Sequence, residues 1–102
     1  MHDEYLYTFD ERRQSRCEFT TSLVFNTRSN GFRIRTSQDY ETQAKIEHSY
    51  LEGSAVDAYL TRHPEHRDGV RKAIERHLAE HPEHGKAMKA AMARMDFFSE
   101  GE

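Results

Sequence analysis

Residues 17–36 read CEFTTSLVFNTRSNGFRIRT, and the Asn30-Gly31 pair near the end of this stretch decides the first half of the fold. Asn-Gly suits a two-residue type I′ hairpin, because both central residues must adopt positive φ. With Asn30 and Gly31 as the loop, Ser29 faces Phe32, Thr27 faces Ile34 and Phe25 faces Thr36. Leu23, Phe25, Phe32 and Ile34 then share one face, which is the core side. The opposite face collects Arg28, Arg33 and Arg35 with Ser22, Val24 and Asn26.

Working outward toward the amino terminus, Cys17, Phe19, Thr21, Leu23 and Phe25 alternate with mainly polar neighbours, the period of a half-buried strand. Tyr5, Tyr7 and Phe9 alternate in the same way with Leu6, Thr8 and Asp10. Glu11 to Arg16 forms a charged connection between the two runs. The expectation is a three-stranded antiparallel meander over residues 4–37.

Toward the carboxyl terminus the spacing becomes helical. Ser37 or Asp39 can cap a first helix running to about Glu52, with Tyr40, Ala44, Glu47 and Leu51 along one line and Tyr50 beside it. Gly53 either ends that helix or interrupts a longer one. Ser54 and Asp57 then form a weak capping box for a short helix carrying Val56, Tyr59 and Leu60.

The rest is an internal repeat. His-Pro-Glu-His occurs at His63–His66 and again at His81–His84, eighteen residues apart. At the same offset Leu60 matches Leu78, Val70 matches Met88, Ala73 matches Ala91 and Ile74 matches Met92. Two similar helical units follow, with Val70, Ala73, Ile74 and His77 on one stripe and Met88, Ala91, Met92 and Met95 on the other. The tail from Ser99 should fray. The fold class is therefore α+β: a three-stranded antiparallel meander packed on three or four helices, the last two a repeat pair forming a helical hairpin. At 102 residues this is a single domain, with its helical part over 39–98. The expected core comprises Tyr7, Phe9, Phe19, Leu23, Phe25, Phe32, Ile34, Leu51, Leu60, Val70, Ile74, Leu78, Met88 and Met92.

Composition narrows the function classes. Eleven aromatic residues argue against disorder, and a single cysteine excludes both an internal disulfide and a cysteine-rich zinc framework. The net charge is −3 and unevenly spread. Residues 1–36 carry six Arg against five acids, whereas residues 37–102 carry nine Lys or Arg against thirteen acids, so neither half is strongly basic. The stretch Met1 to Tyr5 lacks the basic and apolar regions of a secretory leader, and no apolar run approaches the ~20 residues of a membrane helix. A cytoplasmic protein without a membrane partner is expected.

Histidine is a common transition-metal ligand, and five of the seven lie between His63 and His84. The two motif copies sit at opposite ends of a helix, roughly 25 Å apart at ~1.5 Å rise per residue, so they cannot share one mononuclear site. The remaining metal candidates are His77, His81 and His84, with Glu80 as a further candidate, around the junction of the repeat units. Against them stands a structural reading of each residue of the motif. Pro64 and Pro82 suit the first helical position, Glu65 and Glu83 complement the macrodipole, and His63 and His81 occupy the caps. On that reading His66 and His84 are exposed in the first turn, where a pH-responsive surface is a further use.

No nucleophile elbow, phosphate-binding glycine loop or His-Glu-x-x-His helix occurs, and Cys17 lies on the core side without an evident base, so no enzyme and no cofactor are expected. Two surfaces are left. One is the arginine face, Arg28, Arg33 and Arg35 joined by Arg12, Arg13 and Arg16; the other is the terminal helix with Met95, Phe97 and Phe98. The leading expectation is a small non-catalytic protein-binding module, regulatory or inhibitory, with a homodimer as one form of partner. A nucleic-acid-binding regulator using the arginine face is second, and a histidine-based metal-binding protein third.

Overall fold

The structure is a computed structural model and describes residues 3–42 and 45–99. A four-stranded antiparallel sheet in the order β1(Glu4–Gln14), β2(Cys17–Asn26), β3(Gly31–Tyr40), β4(Lys45–Leu51) packs one face on α1(Ser54–Arg62), α2(Arg67–Glu80) and α3(Gly85–Ala93). The expected α+β layering is present, with one strand more than the alternation suggested. Among the described residues no helix is long and apolar enough to cross a membrane.

The hairpin register differs from the one expected of Asn30-Gly31. Phe25 pairs with Phe32, Leu23 with Ile34 and Asn26 with Gly31, which leaves a four-residue loop, Thr27 to Asn30. The side chain of Asn26 is the reason. Its Oδ1 accepts the backbone N–H groups of Arg28 (2.9 Å) and Ser29 (3.0 Å), building a turn centred two residues earlier. Within that loop only Asn30 takes a positive φ. The slip moves every partner by four residues, an even number. Side chains therefore keep their faces, and Leu23, Phe25, Phe32 and Ile34 all point into the core as expected.

The connection expected at Glu11–Arg16 is mostly strand. β1 runs on to Gln14, and Ser15-Arg16 alone forms the turn, with Ser15 at positive φ. A bulge lies between Thr8 and Asp10. The extra residue, Phe9, packs on α2, where a Cβ added to Gly69 would stand 3.0 Å from the Phe9 Cβ, so α2 and β1 are pressed together at this point.

The helix expected from Ser37 to Glu52 is instead the end of β3 and the whole of β4. Ile46, His48 and Tyr50 alternate with Lys45, Glu47 and Ser49, so seven residues satisfy a two-residue period as well as a helical one. Tertiary context breaks the tie, because the free edge of β3 offers an unpaired ladder that β4 fills in the register Ile34 to Leu51 and Tyr40 to Lys45. Ala44, part of the expected helical line, lies outside the described residues, as does the tail beyond Ser99. Gly53 neither ends nor interrupts a helix, because a strand precedes it: its positive φ, which glycine adopts without a Cβ penalty, sends the chain from β4 into α1.

The core forms where the inner sheet face meets the helices. Leu23, Phe25, Phe32 and Ile34 bury against Val56 and Leu60 of α1, Val70, Ala73 and Ile74 of α2, Met88 and Ala91 of α3, and Phe97. Each large apolar side chain so buried contributes about 1.5–3 kcal/mol. Tyr7, Phe9, Leu51, Leu78 and Met92 pack at its margin. Phe19, expected in the core, is only partly buried, because its cross-strand neighbours Arg12 and Gln38 are polar.

Candidate functional site

The arginines do not form one basic surface. Arg33 and Arg35 lie on the outer sheet face beside Val24 and Ser22, as expected, and Arg13 joins that face opposite Glu18. Arg12, shifted by the bulge, pairs with Phe19 on the other face. Arg16 and Arg28 sit in turns at opposite ends of β2, with the full length of that strand between them. Most are also compensated by acids. Arg33 is held between Glu4 and Glu52, both at 2.8 Å, Arg13 meets Glu18 and Glu41, Arg12 meets Asp10, and Arg28 meets Asp3. Arg35 spans to the imidazole of His48, 3.0 Å from Nη2 to Nδ1.

The terminal surface is also altered. Phe97, expected to face a partner, is 2% exposed and belongs to the core, with the Arg67 guanidinium 5.1 Å from its ring centre. The Asp57 carboxylate accepts the backbone N–H groups of Asp96 and Phe97, both at 2.9 Å, and so draws the chain end onto α1. Met95 and Phe98 are partly buried against the core. Met92, Phe97 and Phe98 line a groove of about 250 Å³ with Arg67, Arg71 and Ile74.

On the other side of the sheet, β4 is an exposed edge strand. Ile46 is 56% exposed and Tyr50 49%, and both point to the outer face with His48 between them. The Arg33 guanidinium lies 5.9 Å from the Tyr50 ring centre.

The two His-Pro-Glu-His copies are helix-to-helix joints of nearly identical shape. In each, the first histidine ends one helix with nearly the same φ and ψ, and Pro-Glu-His makes a single 3-10 turn before the next helix starts. The prolines open these turns as expected. The histidine caps do not form, because neither His63 nor His81 makes a side-chain cap hydrogen bond. Their Nδ1 atoms face the glutamate two residues on instead, His63 to Glu65 at 3.1 Å and His81 to Glu83 at 3.4 Å. Both carboxyls are held below the usual range, first by their own backbone N–H and also by that histidine.

His66 and His84 are not exposed but half-buried, the first against Phe9 and Tyr59, the second against Phe25 and Tyr5. In each joint the second histidine also turns toward the shared glutamate, 3.9 Å for His66 Nε2 and 4.0 Å for His84 Nε2. Each copy thus gathers two imidazoles and a carboxylate, His63, Glu65 and His66 or His81, Glu83 and His84, with donor atoms within 4.8 Å of one another. The joints bracket α2, and the length of that helix keeps them apart as expected.

His77, His81 and His84, whose spacing left open whether they would meet across the break at Pro82, lie with ring centres 5.0–5.2 Å apart. His77 is fully buried and joins two partners: its Nδ1 lies 2.7 Å from the Tyr7 hydroxyl and its Nε2 2.9 Å from His84 Nδ1. Burial depresses its pKa below the ordinary imidazole value, and the nearby His81 and His84 add to the effect. Burial also pushes the Tyr7 hydroxyl up, with Glu80 adding to it. The sequence reading missed Glu83 and Tyr7, as well as the self-contained His-x-Glu-His triad in each copy. The spacing of His63, Glu65 and His66 held that signal, which only a turn at Pro64 makes geometric.

Cys17 is free and partly buried near the β1–β2 turn. Comparison with known proteins finds no family model, no curated protein and no solved structure that matches this chain.

Proposed function

We propose that the chain is a small non-catalytic protein-binding module that engages its partner along the β4 edge and the adjoining outer sheet face. The observation that carries this is β4 itself: a seven-residue edge strand, exposed along nearly its whole length, with Ile46 and Tyr50 standing out on one side. An open edge offers unpaired backbone groups to an extended segment of another protein, and alternate apolar side chains give that segment a register. The partner is a protein that contributes such a segment. Regulation or inhibition by surface contact is the corresponding role.

The same face supports a nucleic-acid reading less well. Phosphate contact draws its affinity from counterion release at uncompensated Lys and Arg, and Arg13 and Arg33 are already paired with acids.

Site-specific photo-crosslinking in the native host tests the proposal. A crosslinker at Tyr50 should give a discrete protein adduct that disappears with Ile46→Lys, whereas one at Lys89 on α3 should not give it. An adduct with nucleic acid at Tyr50, or the same adducts from both positions, would overturn the reading.

A further inference from the structure

The second helix joint carries chemistry that surface binding does not use. We infer that His81, Glu83 and His84 bind a divalent transition-metal ion of the zinc class, with His77 and Tyr7 orienting the site from behind.

The donor set comes first. Two imidazole nitrogens and one carboxylate oxygen suit zinc and its neighbours, and hard cations such as magnesium prefer all-oxygen sites. Ligands at ~2.0–2.1 Å from a tetrahedral zinc lie about 3.3–3.4 Å from one another. His81 Nδ1 stands 3.4 Å from Glu83 Oε2, already that edge length, and His84 Nε2 stands 4.0 Å from the same carboxylate. All three donor atoms lie within 4.8 Å of one another, and all three side chains are exposed or half-buried. Three protein donors leave a fourth tetrahedral position for water or a donor from a partner.

The arrangement behind the ligands is the second, independent observation. A metal-bound histidine characteristically donates its other ring N–H to a fixed acceptor, which sets its tautomer. His84 Nδ1 faces His77 Nε2 at 2.9 Å, and His77 Nδ1 faces the Tyr7 hydroxyl at 2.7 Å. This chain has two proton arrangements. In one, Tyr7 donates to His77 and His77 to His84, which leaves the His84 proton on Nε2. In the other, His84 Nδ1–H donates to His77 and His77 Nδ1–H donates to Tyr7, which frees the His84 Nε2 lone pair toward Glu83. A bound cation selects the second, and both histidine rings keep their partners.

The first joint has the same triad but a different background. Tyr59 occupies the position eighteen residues before His77, and its ring centre lies 4.5 Å from that of His63. His66 packs against Phe9 on its inner side, where the second joint has the His77 imidazole. The inference therefore concerns the second joint.

The test is zinc titration of the purified, tag-free protein by calorimetry, with elemental analysis after desalting. The expected result is one equivalent of zinc lost in both Glu83→Gln and His84→Ala and retained in His63→Ala. Glu83 is exposed, so Glu83→Gln reports on the metal without disturbing the core. His77→Phe, verified as folded by circular dichroism, should weaken binding about 10- to 100-fold, as loss of an outer-shell partner does. Absence of zinc binding in the parent protein, or zinc retained unchanged in Glu83→Gln and His84→Ala, would overturn the inference.

Discussion

The two His-Pro-Glu-His joints have the same four residues and nearly the same backbone path, yet among the described residues only the second is hydrogen-bonded to a buried imidazole. His63 and His81 share nearly the same φ and ψ, and each faces a glutamate two residues on. Behind the first joint are the rings of Tyr59 and Phe9; behind the second is the chain Tyr7–His77–His84. Four residues thus specify a shape. What the shape can do depends on β1, which lays Phe9 under one joint and Tyr5 and Tyr7 under the other.

The strongest way to break the comparison is to remove the residue that distinguishes the joints. His77→Ala deletes a buried ring and strands both the Tyr7 hydroxyl and His84 Nδ1, so it should cost about 2–4 kcal/mol in urea unfolding. Tyr59→Ala, at the equivalent position, loses a half-buried ring and should cost about 1–2 kcal/mol. Equal losses would show that the inner wiring adds nothing.

Acid should act on the second joint through the same residue. The folded-state pKa of His77 is lowered, so below the ordinary imidazole value of about 6.5 the unfolded chain takes up a proton that the folded chain refuses. The stability involved is complete above that value and is lost as pH falls toward the depressed one. Tyr5, Tyr7, Glu80, His81, Glu83 and His84 all surround this ring, so the measurement must be a difference. In metal-free protein, the drop in urea midpoint from neutral pH to about one unit below the imidazole value should be smaller in His77→Phe than in the parent. An identical drop would remove His77 as its source.

The smallest effects concern the glycines near the joints. Gly85 begins α3 in ordinary helical conformation with open space around an added Cβ, so Gly85→Ala should stabilise by about 0.5–1 kcal/mol. Gly69→Ala has the same helical gain, but its methyl would stand 3.0 Å from Phe9, and the gain should vanish. Thermal unfolding of the two variants side by side tells whether α2 is as tightly pressed on β1 as the first joint implies.

Much of this was legible beforehand. The alternation of Leu23, Phe25, Phe32 and Ile34 placed the core face correctly despite a shifted register, since an even slip preserves parity. The eighteen-residue offset correctly announced repeated helix starts at Pro64 and Pro82. β4 was not legible, because seven residues fit both periods and the deciding influence is the edge of β3. Neither was the dispersal of the arginines, which follows from the bulge at Phe9 and from acids on neighbouring strands.

The sequence by itself therefore determined the faces, the joints and the residue types gathered in each joint, because periodicity, proline and local spacing act over a few residues. Only the tertiary structure decided which joint has a buried imidazole relay, which aromatic residues are surface and which core, and where an open edge remains. Those outcomes depend on contacts between residues as distant as Tyr7 and His77, seventy positions apart, and no local pattern encodes them.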